Sequence, residues 1–176
     1  DGARLSNAAA ALGQSFCEFT REVGVDVLSF GGTKCGLLGA EAVVFFNANL
    51  AKDFKFRRKQ GMQLASKMRF VSAQFDAFLS QELWLKNAKH ANSMAAYLKD
   101  RILETPGVEL AYPVQANGVF VWLPKQVIPQ LQSSFPFYVW KSGEKKELVR
   151  WMMSFDTTQE DIDSFCQLLE SKLVSA

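Results

Sequence analysis

The stretch Val25-Asp26-Val27-Leu28-Ser29-Phe30-Gly31-Gly32-Thr33-Lys34-Cys35-Gly36 decides how this chain of 176 residues is read. Residues 25–30 are apolar and β-prone, the composition of a strand. The strand runs into two glycines, which let a backbone come close to a ligand. Lys34 therefore stands at the mouth of a sheet, ringed by small residues. Gly36-Leu37-Leu38-Gly39 then turns the chain into residues 41–46, a continuous apolar run of the kind a strand buried on both faces shows. The two runs are read as parallel-type strands. A lysine at such a place loses part of its hydration, which disfavours the ammonium and frees the amine to attack an aldehyde. Taken alone, the same pattern also describes a loop lysine with its charge in water.

Upstream, Asp1-Gly2-Ala3-Arg4 reads as the polar tip that follows a buried strand. Residues 7–12 form an alanine-rich helical turn, and residues 15–23 a second short helix closed by Gly24. Two parallel-type strands do not make a stable doubly wound sheet by themselves. The chain is therefore expected to be a fragment whose other strands lie upstream. Asp1 sits about one strand–helix–strand unit before Lys34, where a carboxylate and an amine can serve one site. Arg4, close by, can fork onto a carboxylate. Separately, Asp-Gly is a common turn and Arg4 an ordinary surface charge.

Downstream the periodicity becomes helical. Over residues 48–79, Met62, Ala65, Met68, Ser72 and Phe75 fall on related faces. Residues 81–104 give the clearest helix: Trp84, Ala88, Ala91, Ala95, Leu98 and Ile102 form one apolar stripe, its alanines suited to close packing against another helix. Thr105-Pro106-Gly107 ends it. Residues 108–112, 119–123, 137–140 and 148–153 read as strands of a small antiparallel or mixed sheet, with Asn117-Gly118 as the turn between the first two. A last helix follows Asp156, with Thr157 as N-cap, Glu160 completing a capping box, and Ile162, Phe165, Leu169 and Leu173 on its apolar face.

Composition narrows the function. Hydrophobic residues are 48% and charged residues 22%, a globular balance, and a net charge of +2 gives no argument for nucleic acid or an anionic membrane. No apolar run nears the roughly 20 residues that span a bilayer, and the start has no secretory-leader pattern. Cys17, Cys35 and Cys166 make neither a zinc pattern nor a disulfide framework, which fits a reducing compartment such as the cytoplasm. No metal site is expected. The single histidine, His90, lies mid-helix between Ala88 and Ala91 and reads as a packing or partner-contact residue. The basic run Lys55-Phe56-Arg57-Arg58-Lys59 reads as a solvated helix face.

Asp1-Gly2-Ala3-Arg4-Leu5-Ser6-Asn7-Ala8 resembles the D-G-A-R-x-x-N-A segment of the L-threonine aldolases, and residues 27–36 resemble their cofactor-lysine segment in its Thr-Lys variant. Arg57-Arg58-Lys59-Gln60, Asn87-Ala88-Lys89-His90-Ala91-Asn92 and the stretch from Val149-Arg150 to Ser154-Phe155-Asp156 look family-like as well, so the resemblance covers essentially the whole chain. It implies an α/β fold of the fold type I class that uses pyridoxal 5'-phosphate (PLP). Residues 1–50 would be the C-terminal part of the large cofactor domain, and residues 51–176 a helical bridge with the small α+β domain. Lys34 would carry PLP and Asp1 would face its pyridine nitrogen. Arg4 would bind the substrate carboxylate or anchor the site near the ring, Thr33 or Ser29 would donate to the phosphate, and Arg150 would grip the carboxylate of the amino-acid substrate. The basic run would lie near a neighbouring subunit's active site, in a homodimer or homotetramer. The implied reaction is retro-aldol cleavage of L-threonine or L-allo-threonine to glycine and acetaldehyde. β-Elimination or racemisation on the same scaffold, and a non-catalytic interaction fragment, are the alternatives. The ring-stacking residue and the main phosphate loop have no counterpart in these residues, and the sequence offers no candidate for the base.

Overall fold

The computed structural model describes residues 1–175, which form two compact units divided after Ala88. In the first unit, helix α1 (Leu5–Leu12) ends on Gly13, whose left-handed φ of 66° suits a residue without a side chain. Strand β1 (Val27–Gly31) pairs with β2 (Glu41–Phe45) antiparallel, Leu28 opposite Val44 and Phe30 opposite Ala42. This corrects the parallel reading. The link between the strands is too short for the crossover that parallel strands need. Instead, Gly2 forms a parallel bridge with Phe30, so the parallel partner of β1 is the segment at residue 2.

Alternation then places Leu28 and Phe30 in a core with Cys35, Leu37, Ala40, Phe78 and Ala88, with Ala42, Val44 and Phe46 packed on it. Val43 is exposed and Phe45 meets Phe54 edge-on, so β2 is not buried on both faces among the described residues. Residues 15–23, expected as a helix, are a run of turns. Their amides reach back three residues (Glu18 to Ser15, Thr20 to Cys17) or five (Glu22 to Cys17), while the Glu18 carboxylate accepts from the Ser15 amide at 2.6 Å. The four-residue ladder of an α-helix does not form there.

The helical stretch from residue 48 breaks in the middle. Helix α2 (Phe54–Gln60) stops where the Gly61 amide returns to the Arg57 carbonyl and Met62 takes a φ of 55°. Helix α3 (Met68–Ser80) starts afresh. Met62 and Ala65, placed by periodicity on a helix face, lie in the gap and are exposed. Helix α4 (Leu83–Ile102) matches its stripe closely. Its Ala88 belongs to the first core, while Ala95, Leu98 and Ile102 enter the second.

The second unit is a four-stranded antiparallel sheet with its helices. The strands β3 (Glu109–Leu110), β4 (Gly118–Pro124), β5 (Tyr138–Ser142) and β6 (Lys146–Met152) lie in the order β3-β4-β6-β5. Short helix α5 (Ile128–Gln132) and long α6 (Gln159–Val174) complete it. Val119, Val121, Leu123, Val149 and Trp151 point inward with Leu98, Leu131, Ile162, Phe165 and Leu169. Phe120, Trp122 and Arg150 take the alternate positions on the opposite face. Asn117 does not make a hairpin turn: it is buried, and its side-chain amide donates to the Met153 carbonyl at 2.8 Å, beyond the end of β6.

The cap of α6 is one residue later than the sequence suggests. Thr158, in extended backbone, accepts the Asp161 amide at 3.1 Å, and Asp161 accepts the Thr158 amide at 2.9 Å. Thr157 is used elsewhere. Its hydroxyl accepts the Ser154 amide, and its carbonyl accepts from His90 Nε2 at 2.7 Å. Hydrogen bonds from Thr158 hold the Asp161 carboxyl below the ordinary aspartate range. A depressed folded-state value means that this support is present above the unfolded-state pKa and is lost as pH falls through the folded one. Thr158→Ala should lower the unfolding free energy at neutral pH by about 1 kcal/mol. Denaturant titration at falling pH should show the gap between variant and parent narrowing in acid.

Candidate active site

The site begins with a close backbone approach. The Gly2 amide donates to the Ser29 carbonyl at 2.7 Å, and a Cβ at residue 2 would stand 2.7 Å from that same oxygen and 2.8 Å from Leu28 Cδ1. Only glycine lets the segment lie against β1. Asp1 is thereby held beside the carboxyl-terminal half of β1, whose continuation reaches Lys34 within one turn. One Asp1 oxygen accepts the Ala3 amide at 2.9 Å and starts the turn into α1, which opens at Arg4. The bridge thus lays the Asp1–Gly2 segment against β1, although the two come from separate stretches of sequence.

Lys34 sits in a 3-10 turn, Thr33–Cys35, closed by Gly36 with φ at 110°. Its side chain is exposed, and that of its neighbour Cys35 is buried. The turn is pinned from behind. Asn87 Nδ2 donates to the Cys35 carbonyl at 2.8 Å, the Cys35 thiol points to the Trp84 carbonyl, and Gln74 Oε1 accepts the Leu38 amide at 2.9 Å. Burial pushes the Cys35 thiol up from its ordinary value, so it stays protonated and is a poor nucleophile. Of the two adjacent candidates for attack on a carbonyl, the amine is the accessible one.

The sequence reading passed over Glu41, taken only as the head of an apolar run. Its carboxylate lies over Gly31, where a Cβ would stand 2.6 Å from Oε2, and it accepts a long hydrogen bond of 3.4 Å from Thr33 Oγ1. Its place opposite Gly31 depends on the register of the strand pair, which the residue pattern alone does not carry. Thr33 therefore already has an acceptor for its hydroxyl. Ser29 is exposed on β1.

Arg150 belongs to the second unit, on β6 between the buried Val149 and Trp151. Its register partners are Phe120 on one side and Tyr138 on the other. The guanidinium lies 4.6 Å from the Trp140 ring centre and 5.8 Å from that of Tyr138. Its Nε is buried and meets no acceptor among the described residues. His90 is half-buried, and its Nε2 lies 2.7 Å from the Thr157 carbonyl. The basic residues of α2 are exposed. No helix in the described residues is long and apolar enough to cross a membrane, and no cluster of three or more acidic, histidine or cysteine side chains there has the makings of a metal site.

The chain is similar to known proteins over most of its length. The Beta-eliminating lyase family matches residues 1–126. A low specificity L-threonine aldolase of Pseudomonas sp. is 45% identical over 162 residues, and one of Pseudomonas aeruginosa is 47% identical over 163. These alignments cover 90% and 92% of this chain but 45% and 46% of the relatives, so the chain spans about half their length. The Leishmania major threonine aldolase structure superposes with a TM-score of 0.86 at 26% identity, over 99% of this chain and 51% of that one. The fold is the α/β fold type I arrangement that the resemblance implied. The chain belongs to the Beta-eliminating lyase family.

Proposed function

We propose that the protein is a PLP-dependent aldehyde-lyase that cleaves L-threonine or L-allo-threonine to glycine and acetaldehyde. The observation that carries this reading is the seating of Gly2 on β1, which sets Asp1 beside the strand that runs into Lys34. The names of the relatives support the reaction. The donor set suits the cofactor: an accessible primary amine for its aldehyde, a carboxylate for its pyridine nitrogen, and a glycine-lined approach. Lys34 and Asp1 would hold it, with Thr33 and Arg4 nearby. When bound, PLP supplies an electron sink for the pair released at the substrate Cα.

The chain's own residues then have separate tasks. Arg150 grips the substrate carboxylate with a planar fork, which a lysine does not offer. That grip fixes how the Cα–Cβ bond is presented. Asp1 holds a negative charge where the ring nitrogen must keep its proton. The β-hydroxyl proton must leave for the aldehyde to form, and no residue here is assigned to take it. Residues 1–50 would belong to the large cofactor domain and residues 51–176 to the bridge and small domain, in a cytoplasmic homodimer or homotetramer.

The family name favours one second reading, β-elimination on the same scaffold. Products separate the two. With the whole protein and PLP, threonine should yield glycine and acetaldehyde at a rate at least roughly tenfold above the release of pyruvate and ammonia from serine, a preference of about 1.4 kcal/mol. Faster pyruvate release would reverse the assignment.

A further inference from the structure

We propose that Trp140 is a positioning residue for Arg150, holding the guanidinium by its face so that its edge stays free for a carboxylate. The inference rests on the proposed role of Arg150 and deepens it. Among the described residues Arg150 makes no ion pair, and its Nε has no acceptor. What fixes the group in the second unit is aromatic: Trp140 at 4.6 Å and Tyr138 at 5.8 Å from the guanidinium carbon. A ring stacked on a guanidinium attracts its charge without occupying an N–H. A carboxylate partner would hold the arginine equally well but would use the donors that the substrate needs.

The backbone shows how Trp140 reaches its place. Tyr138 pairs with Arg150 and Val139 with Val149, but Lys141 then pairs with Leu148, leaving Trp140 as the extra residue of a bulge in β5. Bulges bend a strand and re-aim a side chain. The indole is supported in turn: Phe120 meets it edge-on at 5.8 Å and 81°, and Tyr112 meets Phe120 at 5.7 Å and 78°. Perpendicular rings at such spacings are attractive. Trp140 itself is 56% exposed, more than hydrophobic packing alone would select for the largest side chain. The arrangement is a row of aromatics braced against one cation.

The test is a double-mutant cycle in the whole protein with PLP, with KM for threonine, kcat and thermal midpoint measured for each variant. Trp140→Leu should raise KM roughly tenfold with kcat within about twofold, and Trp140→Phe should recover most of the loss. In an Arg150→Ala background, Trp140→Leu should have no further effect on KM. Additive effects in that background would overturn the proposal, since Trp140 would then act independently of Arg150. An unchanged KM in Trp140→Leu, beside a raised KM in Arg150→Ala, would overturn it as well. Should Arg150→Ala leave KM unchanged, the role given to Arg150 fails first, and the proposal with it. Because Trp140 is largely exposed, its replacement should leave the thermal midpoint nearly constant. A fall in midpoint without a KM change would mark it as a structural residue and reject the inference.

Discussion

Lys34→Ala, made in the whole protein, is expected to abolish the visible absorbance of bound PLP and to reduce threonine cleavage by on the order of 10³-fold or more. The physical basis is that no other amine stands at that turn. Lys34 is exposed at the end of β1, and its neighbours Thr33 and Cys35 offer a hydroxyl already directed at Glu41 and a buried, protonated thiol. The variant should nevertheless fold. Neither the Asn87 bond to the Cys35 carbonyl nor the Gly32 amide bond to the Ala40 carbonyl involves the lysine side chain. Absorbance spectra, coupled detection of acetaldehyde and a melting curve on the same preparation check all three parts. An absorbance that survives the substitution would remove Lys34 from the site. A collapsed melting curve with it would show the turn to be structural.

Much of this arrangement was legible in residue order, and the exceptions share a cause. Strand β1, helix α4 and the apolar face of α6 were read correctly because each carries a complete local pattern: a β-prone run closed by glycines, a long apolar stripe, and a stripe with a cap. The pairing of β1 with β2 was misread because hydrophobic runs report burial, not direction, and the link length was not used. The helix reading of residues 15–23 failed because their amides return three or five residues back instead of four, and Gly24 takes a φ of 90° at their end, a choice of turn that propensity does not register. At the cap of α6, Thr157-Glu160 and Thr158-Asp161 both satisfy the same spacing, and the choice fell to the loop, where Thr157 had Ser154 and His90 to serve.

The site divides the same way. Asp1-Gly2 and Gly31-Gly32-Thr33-Lys34 were found as motifs, and the fold supplies what motifs lack, the bridge from Gly2 to Phe30 that makes them neighbours. Glu41 and Trp140 were invisible because their roles depend on pairing register. The first crosses its own strand pair to Gly31, and the second comes into line only through the bulge after Val139. Register is a tertiary property, specified by which faces are buried and by turn geometry, and single-strand patterns do not carry it.

The second large effect belongs to Arg150. A residue kept for stability and one kept for binding make opposite demands, and its surroundings separate them. Its buried Nε meets no acceptor among the described residues, so the folded unit bears the cost of an unmade hydrogen bond there. Aromatic faces hold the cation, and Leu148 and Val149 before it are buried by their own packing. Arg150→Ala should therefore leave the thermal midpoint near that of the parent while raising KM for threonine by on the order of 10²-fold, the loss of a charge-assisted bidentate contact. Arg150→Lys keeps the charge but not the fork, and should fall between the two. PLP absorbance should persist in both variants, since the amine that carries the cofactor is Lys34. Steady-state kinetics across threonine concentration, with melting curves alongside, distinguish the outcomes. A lowered midpoint with an unchanged KM would make Arg150 a structural cation of the sheet and leave the substrate carboxylate to Arg4.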